Sequence, residues 1–196
     1  MKRIKIHPTC VLVFFLPVFG IITLHQTLIL WWLAILHESA HIFSYRLCGC
    51  GIKSVTVLPF GLCSIPKNTL SVSPKNEIFC AAAGPIVNLF LALVILALPL
   101  PPESEIARYA LYCNLALFTL NLLPILPLDG GRILYYVTSL KYCIPTCETI
   151  CRRVATILLI LMLYPVCATL FVDYNPSLAL IWGYLTTYTF FQRGSI

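Results

Sequence analysis

His37-Glu38-Ser39-Ala40-His41 forms an HExxH segment inside the apolar run from Ile35 to Phe43. On a helix, histidines four residues apart project from one face, where both rings can hold the same metal ion. Glu38 lies about 100° further round, from ~3.6 residues per turn, so it reaches the water such a metal activates without being a ligand. These are the parts hydrolytic zinc requires: fixed imidazoles, an open coordination position and a carboxylate to take a proton. A chance match in an ordinary helix is the competing explanation, and the apolar setting opposes it. A charged side chain at mid-membrane costs roughly 2.5–3.5 kcal/mol on insertion scales, so ionisable residues there are functional candidates by default.

A catalytic zinc site needs three protein ligands. On the side argued below to be cytoplasmic, the acids are Glu77, Asp129 and Glu148. Asp129 closes the segment Asn121-Leu122-Leu123-Pro124-Ile125-Leu126-Pro127-Leu128-Asp129, followed by Gly130-Gly131. The two prolines end a helix, and the glycines permit a sharp turn that folds the carboxylate back towards the bilayer. On this segment alone a solvated Asp-Gly turn is the better explanation. With HExxH at the same membrane depth, the ligand reading overtakes it. His7 and His25 are read as interfacial or structural residues.

The elements that position these groups must be membrane helices. Of 196 residues, 60% are hydrophobic and 10% charged, against about 25% charged in soluble domains. The chain is therefore expected to be an all-α polytopic membrane protein, a single domain over residues 1–196. Apolar runs at 9–24, 27–43, 78–100, 106–123, 154–172 and 178–191 give about six transmembrane helices, the last short for the ~20 residues a span needs. Pro17 and Gly20 interrupt the first run, and no small-residue cleavage site follows, so it reads as an uncleaved helix rather than a signal peptide.

Charge fixes the orientation. With both termini in the cytoplasm, twelve of the thirteen basic residues lie inside and only Arg108 outside, a strong positive-inside bias. Arg46 follows His41 by five residues, about 7.5 Å along a helix, so the HExxH pair sits slightly below the cytoplasmic surface. The net charge of +6 is spread over short loops, which speaks for topology and against nucleic acid.

Between the second and third spans, β-branched Ile52, Val55 and Val57 and the turn signal Pro59-Phe60-Gly61 suggest a small membrane-associated β-hairpin. A free strand edge there could take up an extended peptide. The cysteines on the cytoplasmic side, Cys48, Cys50, Cys63, Cys143, Cys147 and Cys151, are read as free thiols. The last three are spaced by four and are expected on one face of a short interfacial helix before the fifth span.

Three motifs in order, HExxH, Ala82-Ala83-Gly84-Pro85-Ile86-Val87-Asn88 and Asn121-x-x-Pro124 leading to Leu128-Asp129-Gly130, resemble the site-2 protease family of intramembrane zinc metalloproteases. The six-span layout, Ile6-His7-Pro8 and Leu58-Pro59-Phe60-Gly61 resemble the branch of stage IV sporulation protein FB. The chain departs from that branch in two ways: it stops at Ile196 without the C-terminal CBS domain, and it has Leu62 where a glycine often stands.

The resemblance implies Zn2+ held by His37, His41 and Asp129, with Glu38 as general base and later proton donor. It also makes Asn121 the donor to the developing oxyanion. Asn88 is a second oxyanion candidate, with a tie between helices as its other reading, and Asn114 is read as structural. Gly84-Pro85 is expected to shape the third span through close approach or a kink. The implied activity is hydrolysis of a peptide bond in or near the transmembrane segment of a membrane-associated regulatory precursor, such as a pro-sigma factor. The implied setting is a bacterial cell membrane in a sporulating organism, with membrane inhibitor or regulator proteins as further partners. Two alternatives stand beside it. A catalytically silent regulator or substrate-binding relative would lack Glu38 or Asp129. A metal or proton transporter would need further ionisable residues leading to the outer face, and spans three to six offer almost none.

Overall fold

The computed structural model describes residues 23–49, 72–99, 101, 104–172, 174 and 176–191, and the backbone of strands at 3–6, 52–58 and 61–66. The expected first span, all but its last two residues, and His7 lie outside these. Packing divides the chain into two compact units, Met1–Asn121 and Leu122–Ile196.

Among the described residues, the first unit holds three strands and three helices. Strands β1 (Arg3–Ile6), β2 (Ile52–Leu58) and β3 (Gly61–Pro66) form one sheet in the order β1-β2-β3. β1 runs parallel to β2, and β3 antiparallel to it, with Leu58 opposite Gly61. Helix α1 (Leu24–Leu47) contains the HExxH segment, and α2 (Pro74–Ala97) the Gly84-Pro85 pair. Helix α3 is Glu105–Asn121. A capping box starts α1: Thr23 Oγ1 accepts from the Gln26 amide, and Gln26 Oε1 accepts from the Thr23 amide. Ser73 caps α2 in the same position, accepting from the Asn76 amide.

Helices α1 and α2 are apolar outside and polar or small inside. On α1 the buried side chains include His37, His41, Ser44 and Tyr45, while Leu28, Trp32, Phe43 and Leu47 are more than half exposed. On α2 the buried side includes Glu77, Cys80, Gly84 and Asn88, and Phe79, Ile86, Phe90, Leu93 and Leu96 face out. That arrangement leaves apolar surface for lipid and collects polar groups where helices meet. Two helical stretches among the described residues are long and apolar enough to cross a membrane, Pro74–Ala97 and Ile144–Phe171.

The second unit holds α4 (Asp129–Ser139), α5 (Ile144–Leu161), α6 (Leu163–Phe171) and α7 (Ser177–Phe191). Ile125, Ala155, Leu159 and Leu185 form its core, and the Trp182 indole donates to the Leu159 carbonyl at 2.8 Å. Two expectations are corrected here. Gly130-Gly131 do not make a sharp turn; they lie in the first turn of α4, which begins at Asp129. The cysteine-bearing stretch is not a short separate helix either. It is the first half of α5, because no glycine or proline interrupts residues 146–164. The helix instead breaks at Met162, one turn before Pro165, whose missing amide leaves Leu161 without its usual donor.

The three cysteines also differ. Cys147 and Cys151 are buried against Tyr135, and burial pushes that phenol's pKa up. Cys143 is exposed at the N-cap of α5, and hydrogen bonding to Thr146 holds its pKa below 9.0. The thiolate is the reactive form, and a lowered pKa enlarges its fraction at any pH below that value. Cys143 is therefore expected to be alkylated ahead of Cys147 and Cys151, with a rate half-point below pH 9.0. Peptide mapping after a pH series of iodoacetamide pulses reads this directly.

Candidate metal centre

His37 and His41 lie one turn apart on α1, both buried, with ring centroids 4.9 Å apart. Each ring is held at Nδ1 by an oxygen from α2. The His37 Nδ1 bonds the side-chain oxygen of Asn88, and the His41 Nδ1 lies 2.7 Å from the Cys80 carbonyl oxygen. An oxygen acceptor at Nδ1 puts the proton there and leaves the lone pair on Nε2. The two Nε2 atoms face each other at 3.2 Å.

That distance provides a test of fit. Two nitrogens at about 2.0–2.1 Å from a tetrahedral zinc are about 3.3 Å apart, close to the observed spacing. Two nitrogen lone pairs turned towards each other at such range repel unless a cation lies between them. Gly84 supplies the second observation. A Cβ at position 84 would overlap Nε2 of His41 and lie 2.6 Å from Nε2 of His37. Glycine here keeps the backbone of α2 close enough for its Cys80 carbonyl and Asn88 amide to hold the rings, with no methyl intruding on them. Pro85, next in the chain, deprives the Ala81 carbonyl of its helical donor. Of the two roles expected for Gly84-Pro85, close approach is the one these distances display.

Asp129 is 7% exposed and opens α4, where a carboxylate is favoured by the positive end of the helix. Arg132 lies one turn on, with Nη1 3.7 Å from Asp129 Oδ1. Both glycines after Asp129 are forced by close backbone packing. A Cβ on Gly130 would overlap the Leu122 carbonyl, and one on Gly131 the backbone of Ile125 and Leu126. His37 and His41 on α1 and Asp129 at the start of α4 are each buried. Two imidazoles and a carboxylate are a donor set that suits zinc.

The remaining sequence candidates fall as follows. Glu38 follows His37 on α1 and is half-buried. Glu77 is buried but accepts from the Tyr45 hydroxyl at 2.7 Å, and Glu148 is exposed. His25 is exposed in the first turn of α1. Asn121 ends α3, with its amide donating to the Leu117 carbonyl at 3.0 Å. Asn88, weighed above as an oxyanion donor, is fully buried between His37 and Asn114. The structure realises its other reading, a tie between helices. Sequence reasoning missed the Cys80 carbonyl, for which no side-chain signal exists, and the link from Asn88 to Asn114, which sequence spacing does not suggest.

Comparison with known proteins points the same way. The profile of peptidase family M50 matches residues 103–162, a segment that includes Asp129. A zinc metalloprotease of Methanocaldococcus jannaschii is 32% identical over 117 residues, covering 55% of this chain and 32% of the relative. Stage IV sporulation protein FB of Bacillus subtilis is 31% identical over 148 residues, covering 70% of this chain and 48% of the relative. This chain thus spans between a third and a half of the length of these curated relatives. In fold it is similar to the solved site-2 protease from Methanocaldococcus jannaschii, with TM-score 0.69 and 21% identity over 98% of this chain and 94% of that one. Residues 103–162 thus match peptidase family M50, and the chain is similar in sequence to zinc metalloproteases and in fold to a site-2 protease.

Proposed function

We propose that this chain is a zinc metalloendopeptidase, a single domain over residues 1–196 that cuts a peptide bond in or near the transmembrane segment of a membrane-associated regulatory precursor. The observation that carries this reading is the pair of Nε2 atoms 3.2 Å apart on the helix that also bears Glu38. A bound zinc ion lowers the pKa of its water and polarises the scissile carbonyl. His37, His41 and Asp129 hold the ion, and Asn88 and the Cys80 carbonyl keep the two rings turned to it. Glu38 takes the proton of the attacking water and delivers it to the leaving amine. Asn121 spends one amide proton on the Leu117 carbonyl; the second donates to the oxygen on which negative charge develops.

In this reading the protein sits in a bacterial cell membrane with six spans, both termini cytoplasmic and the site near the cytoplasmic face; the positive-inside bias supports the orientation. The substrate must unwind locally, because a peptide bond within a membrane helix is internally bonded and shielded. β3 pairs only with β2 among the described residues, and its other edge receives the unwound substrate by strand addition. Pro-sigma factors are the first substrates to test, since a relative is a stage IV sporulation protein; regulator proteins in the membrane are its further partners.

The test is reconstitution with a membrane-anchored precursor. Treatment with 1,10-phenanthroline is expected to abolish cleavage and remove the bound metal, and stoichiometric zinc to restore both. Cleavage that persists after complete metal removal overturns the reading.

A further inference from the structure

His37 is held by more than its immediate neighbour. Asn88 Oδ1 bonds the His37 Nδ1, Asn88 Nδ2 donates to Asn114 Oδ1 at 3.1 Å, and Asn114 Nδ2 donates to the Ala110 carbonyl at 2.9 Å. The chain crosses three helices, from α1 through α2 to α3, and both asparagines are fully buried. Burial forbids water from replacing any of these bonds, so each group must find its partner within the chain.

The polarity of such a chain is set at its end. The Ala110 carbonyl can only accept, so Asn114 must present its NH2 there and its oxygen to Asn88. That oxygen can only accept, so Asn88 must present its NH2 to Asn114 and its oxygen to His37. His37 is then obliged to carry its proton on Nδ1, which leaves the Nε2 lone pair directed at His41 and Gly84. The assignment follows from donor and acceptor chemistry alone and does not depend on locating any hydrogen.

Given the metal-ligand reading of His37, on which this rests, we propose that Asn114 is a positioning residue for the metal centre. It acts through Asn88 to lock His37 in the tautomer that binds zinc. Without Asn114, the Asn88 amide is released to rotate and offer its NH2 to Nδ1. The proton then belongs on Nε2, where it blocks coordination. Asn114 lies on a different helix from both histidines and bonds to Asn88 and the Ala110 carbonyl, so its effect on the metal passes through one rotatable amide.

A double-mutant cycle on zinc affinity, read by competition with a chromophoric chelator in detergent, tests this. Outer-shell partners of a ligand typically contribute 10- to 100-fold in metal affinity. Asn88→Leu is expected to weaken zinc binding by about 10- to 100-fold and Asn114→Leu by about 10-fold. Asn88→Asp supplies an acceptor to His37 that cannot flip to a donor when ionised, so it is expected to bind zinc near wild-type strength. In that background Asn114→Leu is expected to have no further effect, a coupling that independent structural roles do not produce. Asn114→Asp, which keeps an acceptor facing Asn88, is expected to retain affinity and decides the matter if the leucine variant fails to fold by circular dichroism. Equal losses from Asn114→Leu in both backgrounds, unchanged affinity in the wild-type background, or loss in Asn114→Asp each overturn the relay. A wild-type protein that holds no zinc overturns the metal-ligand reading itself, an outcome distinct from these.

Discussion

Replacing Glu38 by glutamine is expected to slow peptide cleavage about 100- to 10,000-fold, the range a positioned general base contributes. The zinc content is expected to stay at the wild-type level. The reason for the split is that Glu38 follows His37 on α1 but is not one of the three proposed ligands. Glutamine preserves the size of the side chain and one acceptor oxygen while removing the basic carboxylate, so α1 and its two imidazoles remain as they are. A water near the metal is still acidified but has no base to pass its proton to, and the departing amine has no acid to receive it from. Both halves of the reaction are impaired at once. Assay of a co-expressed membrane precursor, with zinc measured on the same purified protein, separates the two quantities. Cleavage at the wild-type rate in Glu38→Gln removes the proposed mechanism, and loss of zinc in that variant reassigns Glu38 as a ligand.

A single methyl group at position 84 is expected to act at the other end of the same site. In Gly84→Ala the new Cβ would overlap Nε2 of His41 and come within 2.6 Å of Nε2 of His37. Neither ring is placed to give way easily, because His37 is bonded to Asn88 and His41 to the Cys80 carbonyl. The relief left is for α1 and α2 to part, which loosens the two contacts that orient the rings. Overpacking of this kind costs about 1–3 kcal/mol, which, taken wholly from metal binding, corresponds to roughly 5- to 150-fold weaker zinc affinity. Helical content is expected to persist, so circular dichroism unchanged with zinc depleted is the predicted pair of results. Full zinc occupancy in Gly84→Ala at low free zinc would show that the backbone of α2 does not limit the site.

How much of this was legible in the sequence depends on the range of the interactions involved. HExxH could be read directly because its chemistry rests on helical periodicity: residues four apart share a face wherever the helix lies. Asp129 entered as a ligand candidate because its proline-flanked segment falls at the membrane depth expected of HExxH. The glycines after it were read for the wrong reason. Their permissive backbone suggested a turn, whereas the structure uses their missing side chains to let α4 start against the backbone of residues 122–126. The expected boundary between a short interfacial helix and a fifth span beginning at residue 154 is likewise not a break in the backbone, and α5 runs through it.

The sequence by itself determined the local arrangement and the composition: two imidazoles and a carboxylate within one turn of a helix, in a chain 60% hydrophobic and 10% charged. Both are properties of residue type and local spacing, which no packing alters. Only the tertiary structure decided which nitrogen of each histidine is turned towards the other ring, because that depends on the partner of the other nitrogen. For His41 the partner is a backbone carbonyl, which every residue possesses. For His37 it is an amide whose direction is fixed by Asn114 and Ala110 on another helix. Hydrogen-bond polarity is transmitted only through contacts, and contacts between residues 37, 88 and 114 exist only once the helices have packed.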